Sequence, residues 1–230
     1  MASPTATEIL AGSGFDWLLL DAEHAPNDVP GILAQLQAMM ENATHPVVRI
    51  PDNDPIVIKR PSRYRRAVLP DPDDGDGRGG RDRGRRHALS PDGIRGFAGA
   101  SRASRFGRVK DYHRRAHEEI CILVQIETRK GLDNLEAIAA VPGIDGLFIG
   151  PGDLSSDLGH LGDQGNPEIV ELIEKTIGRI VAAGSRAGIL TADETLARRY
   201  MAAGCVYTAV ASTPACSPAP QRRSQGKFRD

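Results

Sequence analysis

Aromatic residues are scarce in this chain, at 4% of the total, with one tryptophan at position 17. So few rings leave little to stack on unpaired bases. The formal net charge of −1 provides no field to gather a polyanion. Neither nucleic acid nor an anionic membrane surface is therefore expected as a partner. Cysteine is scarce too. Cys121, Cys205 and Cys216 cannot all pair within one chain, and their spacing fits neither a disulfide framework nor a zinc motif. No apolar run is long enough to span a bilayer, and the opening MASPTATEIL lacks the basic-then-apolar layout of a signal peptide. These absences lead to the expectation of a soluble, cytoplasmic protein.

What the chain does have is a globular share of apolar residues, 40% of 230. They recur in short runs: Asp16–Asp21, Pro46–Ile50, Ile120–Glu127, Gly146–Pro151, Ala187–Leu190 and Val206–Ala211. Runs that are apolar throughout predict strands buried on both faces. Between most of them lie stretches with apolar residues at helical spacing: Thr5–Ala11, Pro30–Met40, Leu132–Ala140 and Pro167–Ala183. Thr191–Ala203 opens with a helix-cap signal. Strand alternating with helix, at about 25–30 residues per unit, predicts a parallel sheet of βα repeats. The expected architecture is α/β, a (β/α)8 barrel over residues 1–230, with pieces missing. A barrel needs a strand before the helix at Thr5, and none precedes it.

A second gap lies between Pro46 and Ile120, more than two repeats long, where no strand is expected. Within it Pro61–Ser90 holds eight Arg, five Asp and five Gly and almost no apolar period. Such composition ordinarily marks a solvated insertion. The genetic code supports another reading. Ser62–Ala67 (SRYRRA), back-translated and moved one base, reads Leu-Asp-Ile-Gly-Ala. Pro70–Gly77 (PDPDDGDG) reads Leu-Ile-Pro-Met-Met-Glu-Thr-Ala at the same offset, and His87–Pro91 reads Thr-Arg-Tyr-Pro. The hidden text restores a strand where the repeat requires one. Residues 61–90 are therefore read as frameshifted. The tail, 213–230, behaves alike: from Ser212 a two-base offset gives Asp-Thr-Gly-Leu-Leu-Ala-Arg-Ala, the start of a helix.

Three strand ends carry polar residues, where α/β proteins place their sites. The first reads Asp21-Ala22-Glu23-His24. Histidine exchanges protons near neutrality, and a neighbouring carboxylate can fix its tautomer; the plainer reading is a polar loop. The second is Arg49 in the apolar run PVVRI. Its planar fork suits a carboxylate or enolate oxygen, or equally an ion pair at the barrel rim. The third joins Gln125 and Glu127, ending ICILVQIE, with Asp153 in FIGPGD. Neighbouring strands lie about 5 Å apart, so Glu127 and Asp153 can reach one cation. Two carboxylates and waters favour Mg2+, Mn2+ or Co2+. Otherwise Glu127 pairs with Arg129 and Asp153 caps the next helix. Gly150 and Gly152 let backbone N–H groups approach an anion. His113, His117 and His160 read as loop or surface residues and Cys121 as a small core residue. Arg95, Arg102, Arg105 and Arg108 read as a solvated basic loop.

DWLLLDAEHAPND, HPVVRIP, PDGIRG, the VQIET run, FIGPGDLS with GHLG, and GILTAD occur in order over about residues 5–60 and 91–212. Together they resemble the HpcH/HpaI aldolase family, class II enzymes with a (β/α)8 fold that assemble as hexamers. The resemblance implies that Glu127 and Asp153 hold a divalent metal. It implies that Arg49 and Gln125, with the backbone at Gly152 and Asp153, engage the pyruvate part of a 2-oxo acid. His24, supported by Asp21, resembles the family's acid/base histidine. The implied reaction is metal-dependent retro-aldol cleavage of a 4-hydroxy-2-oxo acid to pyruvate and an aldehyde, the enolate being stabilised by the metal and by Arg49.

The chain departs from the family at its first strand, at an LDIGAQ-like segment present only in the shifted frame, and at the final helix. Two lost strands leave open sheet edges, so the chain as written is expected to fold poorly. Three alternatives stand beside this reading. One is a citrate-lyase-β-like enzyme of CoA thioesters, against which AEHAPND and GHLG argue. Another is an inactive or mis-sequenced remnant. The third is a binding module built on the Arg/Asp/Gly-rich stretch.

Overall fold

The computed structural model describes residues 2–51, 68–69, 97–116, 118 and 120–211. The shifted-frame segments lie outside these residues, apart from Val68 and Leu69, as do Arg95, His117 and Cys216. Every strand is parallel to its neighbours. Helices alternate with most strands, as the repeat pattern predicts. Among the described residues no helix is long and apolar enough to cross a membrane. The chain divides into two compact units.

The first unit carries a three-stranded sheet in the order β1-β2-β3. Its strands are β1 (Trp17–Asp21), β2 (His45–Arg49) and the two-residue β3 (Val68–Leu69). β3 corrects the expectation of a strandless gap after Ile50. It pairs with Val48 and Arg49, although it is only two residues long and lies between Arg66-Ala67 and Pro70. Helix α1 (Pro4–Ala11) starts where the Ser3 hydroxyl accepts from the Ala6 N–H. Helix α2 (Val29–Ala38) starts where Asp28 accepts from the Gly31 N–H at 2.8 Å. Both place Pro in the first turn, where its missing N–H costs nothing. The two helices bury Ala11, Ile32, Leu36 and Met39 against Leu20, Val48 and Ile50.

A polar chain crosses this apolar cluster. Buried Thr7 on α1 meets buried Gln35 on α2 at 3.0 Å. The Gln35 amide donates to Asn27 at 2.8 Å, and the Asn27 amide donates to the Asp21 carbonyl at 2.6 Å. Buried polar groups persist only when hydrogen-bonded, so the three partners fix the loop after β1 from beneath. Further along, Ala103, Tyr112 and Ala116 form a small cluster that includes the one-turn helix α3 (Tyr112–Arg115). Arg105 and Arg108 are solvated as expected, whereas Arg102 donates to the Leu36 carbonyl.

The second unit carries the sheet β4 (Leu123–Ile126), β5 (Gly146–Ile149), β6 (Ala187–Leu190) and β7 (Cys205–Ala209), in sequence order. β4 and β5 are buried at every position, as uninterrupted apolar runs predict. The stretch expected as one helix over Leu132–Ala140 is two, α4 (Arg129–Asp133) and α5 (Leu135–Ala139), parted at Asn134. Helix α6 is Pro151–Asp157.

Helix α7 (Pro167–Ala182) is the chief cover of this sheet. It begins on the Asn166 side chain and ends where Gly184 takes φ 77°. Its stripe of Ile169, Val170, Ile173, Ile177 and Ile180 recurs at three and four residues, so one face is apolar. Each buried isoleucine there contributes roughly 2 kcal/mol. Helix α8 (Glu194–Ala202) is capped by Asp193, not by Thr191, whose hydroxyl accepts from the Asp193 N–H instead. Cys121 is half-buried rather than a core residue; Cys205 is the buried thiol, its pKa raised by burial.

Candidate active site

In the first unit the parallel register sets Asp21 opposite Arg49 at the carboxyl ends of β1 and β2. Arg49 closes a fork on that carboxylate: Nε donates to Oδ1 at 2.9 Å and Nη2 to Oδ2 at 2.6 Å. This two-point geometry is the strong form of the pair. Burial opposes the charge on Asp21, but hydrogen bonding and attraction from Arg49 outweigh it. Backbone N–H donors from Glu23 and His24 help, and the carboxyl is held below its usual range. The ion-pair reading of Arg49 is thus realised in this structure. Its fork faces Asp21.

Glu23 joins the same cluster. Its Oε2 lies 3.0 Å from Arg49 Nε and 3.7 Å from His24 Nε2. Asp21 therefore supports His24 through the backbone N–H, and Glu23 is the carboxylate beside the imidazole. The His24 side chain keeps 59% of its exposure, while Glu23 keeps 14%. The ring is thus open to a substrate, and its companion is shielded. Glu23 was visible in sequence only as a neighbour of His24, because its contact with Arg49 needs the β1–β2 register.

In the second unit Gln125 and Glu127 follow one another on the same side of β4, both buried. The Gln125 amide donates to both oxygens of Glu127, at 3.4 and 3.3 Å. These are long contacts, in which a neutral donor orients the carboxylate without cancelling its charge. Gly150, the N-cap of α6, lies directly against Glu127. Asp153 falls in the first turn of α6 with an exposed side chain, where a carboxylate favours the helix start. Gln164, which sequence reasoning passed over, brings its amide nitrogen to 3.3 Å from where a Cβ on Gly152 would sit. His160 lies in the following loop, 4.0 Å from Glu168, consistent with a surface role.

The donor set fits a hard divalent cation. Glu127 and Asp153 offer carboxylate oxygen, and the side chain missing at Gly150 leaves the Glu127 carboxylate room beside the start of α6. Among the described residues no group of three or more His, Cys, Asp or Glu assembles for a metal. A cation held here would therefore draw its other ligands from water or substrate, as Mg2+ and Mn2+ commonly do.

Comparison with known proteins identifies the family. A sequence model described as HpcH/HpaI aldolase/citrate lyase matches residues 1–70 and 87–215. The chain is 48% identical over 231 residues to a hydroxypyruvate/pyruvate aldolase of Deinococcus radiodurans, covering 100% of this chain and 83% of that protein. It is 47% identical over 211 residues to a 4-hydroxy-2-oxo-heptane-1,7-dioate aldolase of Klebsiella pneumoniae, covering 91% of this chain and 80% of that protein. The crystal structure of a HpcH/HpaI aldolase/citrate lyase family protein from Burkholderia cenocepacia superposes with a TM-score of 0.87 at 35% identity, covering 100% of this chain and 92% of that one. The fold is α/β, of the (β/α)8-barrel class. The chain belongs to the HpcH/HpaI aldolase/citrate lyase family, and its enzyme class is carbon–carbon lyase.

Proposed function

We propose that the chain's chemistry is aldol cleavage of a 4-hydroxy-2-oxo acid to pyruvate and an aldehyde, supported by a divalent metal ion. The observation that carries this reading is the buried Glu127 carboxylate seated against Gly150, at the head of the helix that bears Asp153. Glu127 and Asp153 would hold the ion. When bound, it would supply Lewis-acid stabilisation of negative charge developing on the 2-oxo group.

The remaining roles fall to side chains. Gln125 and the backbone at Gly152 and Asp153 bind the pyruvate part. His24, the exposed ring beside Glu23, takes the C4 hydroxyl proton. The C3–C4 bond then breaks, its electron pair passes to the enolate, and the aldehyde leaves. A proton delivered to C3 completes pyruvate. Arg49 contributes fixed positive charge for the enolate, and Asp21 keeps its guanidinium oriented. The name of the relative from Deinococcus radiodurans, which includes pyruvate, and that of the relative from Klebsiella pneumoniae, a 4-hydroxy-2-oxo acid aldolase, support this reading.

We also propose that 61–90 and 213–230 are translated out of frame within a single barrel domain. The family match skips 71–86 and stops at 215, inside those segments. Resequencing tests this: single-base insertions or deletions near codons 60 and 90 support it, and related strains that encode the same written residues across 61–90 overturn it. The activity test is pyruvate release from 4-hydroxy-2-oxo acids with and without Mn2+ or Mg2+, using the written chain beside a frame-corrected one. Metal-dependent release is expected from the corrected chain. Release that is indifferent to chelator would overturn the metal assignment.

A further inference from the structure

We propose that Gly150 is a positioning residue for Glu127, present for the space it leaves and not for backbone freedom. The inference rests on the metal-holding reading of Glu127 and Asp153. The backbone of Gly150 is extended, at φ −96° and ψ 92°, a conformation open to any L-residue. A demand for left-handed geometry therefore does not explain glycine here.

Space does. A Cβ built on Gly150 would overlap Glu127 Oε2 and would stand 3.0 Å from Glu127 Cβ and 3.4 Å from Cδ. The backbone at Gly150 cannot step back easily, so the carboxylate, at the far end of a flexible side chain, is what would move. The Gly150 N–H donates to the Ile126 carbonyl at 3.2 Å, and Ile126 is in register with Ile149. Strand and turn are thus tied one residue from the contact on each side. Glu127 is only 8% exposed and is held by the Gln125 amide. A methyl at 150 would turn the carboxylate away from the start of α6, where Asp153 lies.

The neighbouring tight glycines differ in kind. At Gly146 an added Cβ would meet the Arg186 carbonyl and Leu123, and at Gly188 it would meet the Phe148 ring. Those contacts are packing within the sheet. Gly31 also faces a carboxylate, with Asp28 Oδ1 3.1 Å from an added Cβ, but that acid caps its own helix; Gly150 is where, among the described residues, an added Cβ would overlap a carboxylate oxygen.

The test is Mn2+ binding to the full chain, followed by the loss of the free-ion EPR signal, with far-UV circular dichroism as the check on folding. Gly150→Ala is expected to weaken Mn2+ binding roughly 10- to 100-fold, the range typical of residues that orient metal ligands. Its dichroism spectrum should match that of the unaltered chain. Glu127→Asp alone should also weaken binding, because its carboxylate is one methylene short. In the double variant the shorter acid clears the methyl, so the combined loss should be smaller than the product of the two single losses. Unchanged binding in Gly150→Ala, or strictly multiplicative losses in the double variant, would overturn the inference while leaving the metal reading intact. Absence of Mn2+ binding by a chain whose dichroism shows it folded, frame-corrected where the written one does not fold, or binding untouched by Glu127→Gln, would bring down the metal reading and this inference with it.

Discussion

The two polar clusters set different partners against their acids. At the ends of β1 and β2, opposite charges close on each other: Arg49 grips Asp21 at two points and also attracts Glu23. At the end of β4, the Gln125 amide donates to both oxygens of Glu127, and Gly150 stands against that carboxylate. The first arrangement organises itself and shapes a loop. The second keeps a carboxylate buried in a form that a cation would reward. The difference teaches that burial of an acid does not by itself mark a site; the kind of partner does.

The comparison can be broken from either side. The largest effect is expected from Glu127→Gln. If Glu127 holds a metal, pyruvate release should fall on the order of a thousandfold. Thermal stability in chelator should change far less than activity, since glutamine keeps the shape of the acid. A loss of stability matching the loss of activity would instead make Glu127 a structural acid.

Arg49→Met should cost stability as well as activity. It leaves Asp21 and Glu23 facing each other without their cation. The expected cost is about 2 kcal/mol in urea unfolding, below that of a fully buried pair because both side chains keep some solvent access. Added Mn2+ should not restore it. Arg49→Lys should recover part of the stability but little activity, because an ammonium cannot reproduce the fork.

The smallest effect concerns acid. The folded pKa of Asp21 lies below its unfolded value, so its ionised form stabilises the fold. That contribution is complete above about pH 4 and is lost as pH falls from there through the folded value. Asp21→Asn should therefore flatten the acid limb of the urea midpoint plotted against pH. An unchanged limb would mean that other carboxylates carry it.

The sequence made the second unit easier to foresee than the first. Runs such as LVQI and GLFI are apolar throughout because both faces are covered, and their boundaries follow from composition. Glu127 stood out as the acid that ends such a run. β3 could not be foreseen, because the short run Ala67-Val68-Leu69 between Arg66 and Pro70 carries no period. The break at Asn134 was hidden since Leu132, Leu135 and Ile138 keep helical spacing across it. The partner of Arg49 depended on strand register, and the role of Gly150 on a contact between residues 23 positions apart. Local composition predicts elements; sites arise where elements meet.

The Asp21–Arg49 fork has one more consequence, for how the strands find each other. Because the two residues stand opposite in the β1–β2 ladder, a slip of one residue would set Arg49 against Leu20. It would also turn each side chain of the slipped strand to the other face. The guanidinium would then be buried on an aliphatic side chain with its partner out of reach, at a cost of several kcal/mol. The bond that shapes the loop thus also proofreads strand alignment, admitting one pairing and rejecting its near neighbours.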